Sequence, residues 1–168
     1  MNLHFNEPAI VAIITALTTA ILNLIVQYFL WGRKQKIEKK AITTAFVAEV
    51  EVLLEVVRER KYLEGLKEQI SVMHAKSTVP YVVPIQDNYS QIYRNNLDKL
   101  YMFEPKIVKN LVLFHSLLDS LIQDVKPGGI LATGGSKENF QEAATILSLA
   151  IQNGEEIKLY YNSQRTNL

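Results

Sequence analysis

Residues 9–31 read AIVAIITALTTAILNLIVQYFLW, 23 positions without a charge, a glycine or a proline. As an α-helix this run is about 34 Å long, enough to cross a hydrocarbon core of roughly 30 Å. Pro8 stands at a natural first helical position, and Asn6 or Glu7 can accept hydrogen bonds from the first free amides. A signal peptide would show a basic leader, a shorter apolar stretch and a small-residue cleavage site, and none of these occurs. The segment reads as a transmembrane helix rather than a signal peptide or a buried core helix.

The rest of the chain explains why the overall composition looks unremarkable for its class. It has 168 residues, 48% of them hydrophobic, with no cysteine and a formal net charge of +1. Its mean hydropathy of +0.05 is high for a chain with 21% charged residues, so the apolar residues are concentrated somewhere. The length suits one domain with a short appendage, divided here as 1–32 and 33–168. Without cysteine there are no disulfide scaffolds, Cys-ligated metal sites or thiol chemistry. Near-neutrality gives no general electrostatic case for nucleic acid binding.

The charges are distributed unevenly. All 18 Lys and Arg lie after residue 32, and Glu7 is the single formal charge before it. Arg33, Lys34, Lys36, Lys39 and Lys40 crowd the C-terminal flank of the apolar run. The positive-inside rule therefore predicts a single-pass protein with its N-terminus outside and the remainder cytoplasmic. Tyr28, Phe29 and Trp31 form an aromatic belt at the inner interface, with Arg33 and Lys34 anchoring beside it.

The two sides of this helix differ in chemistry. At 100° per residue, Ile10, Ile14, Leu17, Ile21, Leu24 and Tyr28 share one narrow sector. Ala12, Ala16 and Ala20 lie opposite, beside Thr15, Thr19, Asn23 and Gln27 in an unbroken i,i+4 series. A helix alone in lipid gains nothing from such a side, whereas small and polar residues suit close contact between helices. These seven residues are the expected oligomer face or pore lining. A dimer seam, or a tilted monomer tolerating mild polarity, is the plainer reading. No acid or base lies in the span to serve a proton relay or voltage sensor.

After Gly32, a possible bend, helix-favouring sequence runs from Arg33 to Lys76. Phe46, Val50, Leu53 and Val57 keep a heptad-like spacing that resumes out of phase at Leu63, Leu66, Ile70 and Met73, predicting a stutter near Gly65. Glu51, Glu55 and Glu59 make an acidic stripe, read as a solvated face over a cation vestibule. Ser77–Asn88, with Pro80 and Pro84, is an extended loop. A short helix over residues 89–103 follows, capped by Asp87 or Asn88. Pro105 opens a strongly amphipathic helix ending at Val125. KPGGILATGGS is expected as a flexible connection, and Ser136 as the cap of a last helix through Tyr161. No alternating strand pair or internal repeat appears. The fold class is all-α: the transmembrane helix followed by a cytoplasmic antiparallel helical bundle.

Conventional catalytic signals are missing. GGILATGGSK fails as a phosphate loop, since Gly135 stands where lysine is needed and no strand precedes it. His4, His74 and His115 have no second ligand at metal spacing. His115 reads as a hydrogen-bonded packing histidine and His74 as solvated. Neither a metal nor a cofactor is expected.

The stretch from Asn88 to Val125 contains Tyr-x-x-x-Tyr-x-x-Asn-x-x-Lys-Leu, carried by Tyr89, Tyr93, Asn96, Lys99 and Leu100, before a Pro-led helix. With the layout of the whole chain, this resembles small bacterial single-pass membrane proteins with a HEPN-like helical domain. Among them it is most similar to the membrane accessory proteins of type VI-B CRISPR systems. The resemblance implies a homo-oligomeric inner-membrane pore supporting antiphage defence beside an RNA-guided RNA-cleaving effector. HEPN-class RNases place a histidine a few residues beyond an Arg-Asn pair. Here Arg94-Asn95 is followed by Lys99, which is protonated at neutral pH and a poor general base. The expected function is thus a membrane pore or depolarising effector, with itself and the bilayer as partners. The alternatives are a membrane-tethered interaction module using the surface around Tyr89 and Tyr93, and a degenerate RNase using Arg94.

Overall fold

The absence of glycine and proline from Arg33 to Glu64 leaves nothing to stop a helix begun in the apolar segment. In the computed structural model, which describes residues 7–86 and 88–166, α1 accordingly runs without interruption over Glu7–Glu59, straight through Gly32. His4, Asn6 and Asp87 lie outside the described residues. The helices that follow are α2 (Tyr62–Val72), α3 (Gln91–Asn95), α4 (Pro105–Val125), α5 (Ile130–Gly134) and α6 (Lys137–Thr166), with a 3-10 helix at Leu97–Met102. Among the described residues there is no strand, only an isolated bridge between Val79 and Gly135. The chain is all-helical. Its contacts divide into two units, one up to Ala41 and one from Ile42 onward.

The first unit is a single helical segment. Every side chain from Ile10 to Trp31 is exposed, and this is the one described helix long and apolar enough to cross a membrane.

The second unit is organised along α6. Thr44 and Tyr161 hydroxyls lie 3.0 Å apart, Leu54 sits against Gly154, and Arg58 pairs with Glu155 at 3.4 Å. Farther along, Leu66 and Leu147 line one small void, and Lys137 Nζ donates to the Met73 carbonyl. The last turns of α1, then α2, therefore run antiparallel along successive lengths of α6. On another side, Asn110 meets Glu156 and Phe114 meets Gly154, so α4 is also antiparallel to α6. Phe46, Phe114, Phe140, Leu111, Leu131 and Leu147 are fully buried where these elements converge. Each contributes about 1.5–3 kcal/mol by leaving water.

The break between α1 and α2 lies at Arg60–Lys61, not at Gly65. Lys61 is left-handed (φ 52, ψ 39), which costs about 1 kcal/mol for a residue with a Cβ and resets the helical phase. That reset turns Leu63 and Leu66 onto the side already used by Leu54 and Val57. Gly65 continues the helix, and a Cβ there would stand 3.4 Å from the Tyr81 hydroxyl.

Residues 73–86 form the expected extended crossing. The amides of Val79, Tyr81 and Val83 donate to carbonyls of Gly135, Leu131 and Val125 at 2.8–3.1 Å. Pro80 and Pro84, without N–H groups, occupy alternate positions that make no such bond. The expected helix over 89–103 is instead split into α3 and the 3-10 helix. Asn96 Nδ2 bonds back to the Ile92 carbonyl at 2.8 Å, competing with the helical ladder. Ser90, rather than Asn88, is the residue before α3. The KPGG segment holds α5, because Leu131 needs a helical turn to reach the core. Gly129 permits this: a Cβ there would fall 2.1 Å from the Gln123 carbonyl oxygen. Ser136 caps α6 as expected, exchanging backbone–side-chain bonds with Asn139.

Candidate functional site

Two sets of residues stand out, one in each unit. In the first, the threonines of the polar face close their hydrogen bonds locally. Thr15 and Thr19 hydroxyls donate to the Val11 and Thr15 carbonyls at 2.9 and 2.8 Å, and Thr18 does the same to Ile14. Their hydroxyls are thus satisfied within α1 itself. Asn23 and Gln27 differ: no hydrogen bond within the described chain engages their side-chain amides. An amide has two donor hydrogens and an acceptor oxygen, and hydrocarbon offers none of them a partner. Ala12, Ala16 and Ala20 flank this row, and Tyr28 and Trp31 stand exposed at its end beside Arg33 and Lys34.

In the second unit, Glu49 of α1 is a buried polar side chain. Its two carboxylate oxygens accept from the Ile92 and Tyr93 amides at 2.7 and 2.9 Å. Glu49 therefore caps the first turn of α3 from a different helix, supplying acceptors that orphan amides need. Tyr93 stacks on the His115 imidazole, and Phe46 packs against both Tyr93 and Phe103. At the rim, Asp119 accepts from the Tyr89 hydroxyl and, at 2.6 Å, from Arg94. Arg94 also donates through Nε to Ser90 and lies 5.4 Å over the Tyr89 ring.

Burial dominates the electrostatics of this cluster. It pushes the Tyr89 hydroxyl up to about 12, reinforced by the bond to Asp119, and it raises Tyr93 as well. It lowers His115 to about 4, so the imidazole is neutral. Asp119 opposes this shift and Arg94 adds to it, and the Glu49 carboxyl lies 3.8 Å from Nε2. His115 Nδ1 is buried without a hydrogen-bond partner, so this histidine packs by stacking, not by the hydrogen bond its setting suggested.

The motif residues are brought together in part. Tyr89, Tyr93 and Arg94 belong to the cluster, and Asn96 turns its amide onto Ile92 beneath it. Leu100 packs on the core edge, and Lys99 lies on the 3-10 helix, 3.9 Å from Asp98. The acid that pairs with Arg94 is Asp119, one helical turn beyond His115. His74 is exposed, as are Glu51, Glu55 and Glu59. Glu49 and Asp119 carried no motif. The readable signal for Glu49 was its place three residues after Phe46, on the apolar side of α1.

No protein-family model matches the chain, and neither a curated protein nor a solved structure does.

Proposed function

We propose that the chain is a single-pass inner-membrane protein that self-associates through its first helix into a homo-oligomeric pore, with residues from Ile42 onward on the cytoplasmic side. The observation that carries this reading is the pair of unpartnered amides at Asn23 and Gln27, on one face of a fully exposed apolar helix. A second copy, or a column of water between copies, satisfies them. The alanines beside them permit the close approach that such packing requires. The basic flank after Gly32 supports the orientation. A role in antiphage defence beside an RNA-guided effector rests on the family resemblance.

The test is Asn23→Leu in the full chain. Under this reading the variant still inserts, but loses dye entry and membrane depolarisation. Unchanged permeability rejects the lumen. A monomer in lipid nanodiscs rejects the assembly altogether.

A further inference from the structure

We infer that the first turns of α1 beyond the aromatic belt form a binding site for anionic phospholipid headgroups. Arg33, Lys34, Lys36, Lys39 and Lys40 are all exposed, within eight consecutive positions that contain one acid, Glu38. At 100° per residue, Arg33, Lys36, Lys39 and Lys40 fall within an arc of about 120°, making a basic stripe rather than a diffuse ring.

The stripe is set at the right height. Trp31 ends the apolar run, and the headgroup layer extends roughly 5–7 Å beyond the hydrocarbon. At ~1.5 Å per residue, Arg33 to Lys36 begin within that layer and Lys40 begins about 13 Å beyond Trp31. Helical side chains lean toward the helix N-terminus, which here is the membrane side. The whole stripe thus lies within about one Debye length, ~8 Å, of the headgroup layer. A cation at an anionic surface strengthens association by about fivefold. The site rests on the transmembrane placement of α1 and does not require a lumen.

The full chain is reconstituted in liposomes of phosphatidylcholine with one-third phosphatidylglycerol, and spin-labelled lipids of each type report the lipid held at the protein surface. The wild type is expected to hold phosphatidylglycerol in preference by at least about threefold. The preference disappears in Arg33→Gln/Lys34→Gln/Lys36→Gln/Lys39→Gln/Lys40→Gln and persists in the charge-preserving Arg33→Lys/Lys34→Arg/Lys36→Arg/Lys39→Arg/Lys40→Arg. Co-flotation with the liposomes checks insertion separately, so loss of the transmembrane reading is distinguishable from loss of the lipid site. Equal retention of both lipids by an inserted wild type overturns the proposal. So does a preference that survives the glutamine variant. Binding of a single-stranded RNA that the glutamine variant abolishes, without lipid preference, overturns it in favour of nucleic acid.

Discussion

The imidazole of His115 lies face to face with the ring of Tyr93, centroids 3.9 Å apart and planes 8° from parallel. Its folded value of about 4 is below the ~6.5 of an unfolded histidine, so between these pH values the unfolded chain binds the extra proton. Stability from this group is fully present above about pH 6.5 and is lost as pH falls toward 4, by roughly 3 kcal/mol. Chemical denaturation in detergent at pH 7 and pH 4.5 measures it. His115→Phe keeps the stack, removes the orphan Nδ1 and should flatten this part of the pH profile. A profile as steep as the wild type's would place the titration elsewhere.

Glu49 holds the start of α3 by two hydrogen bonds from backbone amides, so Glu49→Ala is expected to cost about 3 kcal/mol. Hydrogen exchange gives a sharper readout than the melt. The Ile92 and Tyr93 amides should exchange much faster in the variant, and Glu49→Gln should be intermediate. Unaltered protection of both amides would contradict the cap.

Gly154 of α6 lies tight against Leu54 of α1 and Phe114 of α4. A Cβ there would meet Phe114 Cε2 at 2.9 Å and both Leu54 methyl carbons at 3.0 Å. Alanine gains up to ~1 kcal/mol of helix propensity but forces an overpacking penalty of ~1–3 kcal/mol. Gly154→Ala should therefore lower the thermal midpoint by several degrees, whereas Gly32→Ala, with nothing nearby, should leave it unchanged or raise it.

The Arg94–Asp119 pair is nearly half exposed on both sides, and solvent screening leaves such pairs worth under about 1 kcal/mol. Arg94→Ala should shift the melting midpoint hardly at all. Any RNA cleavage by the purified protein that this variant abolishes would accordingly report chemistry, not unfolding, and would revive the RNase alternative.

If α1 self-associates in a bilayer as proposed, its polar residues should not be equivalent. Thr15→Val and Thr19→Val remove hydroxyls that already bond to their own helix, so the proposed oligomer should persist in nanodiscs. Asn23→Leu and Gln27→Leu remove the unpartnered amides and should shift it toward monomer. Equal sensitivity of all four positions would reject the distinction.

What the sequence discloses follows the range of the forces involved. The long apolar run, the Pro-led α4 and the Ser136 cap depend on neighbours within a turn or two, and all were legible. The break at Lys61 was not, because a lysine carries no local signal for a left-handed turn; the phase change in the apolar pattern demanded it. Gly65 was the better local breaker, yet packing beside Tyr81 kept it helical. Likewise, α5 exists because Leu131 is drawn into the core against two flanking glycine pairs. The cluster was half legible. Tyr89, Tyr93 and Arg94 formed a visible motif, but Glu49 accepts from the Ile92 and Tyr93 amides across 43 and 44 residues. Asp119 reaches Arg94 across 25 residues. Only the tertiary fold brings such pairs together.

The antiparallel run of α1 and α2 along α6 also sets a timetable for biosynthesis. The apolar run of α1 is translated before the helices that follow it. Its continuation, from Ile42 to Glu59, carries buried positions such as Phe46 and Val50 whose partners on α6 begin only at Lys137. At ~5–20 residues per second, those partners arrive several seconds later. Throughout that interval the nascent chain bears a helix with its apolar side uncovered. The buried positions of α1 are thus made well before the helix that covers them, and α6 is the element that closes this unit.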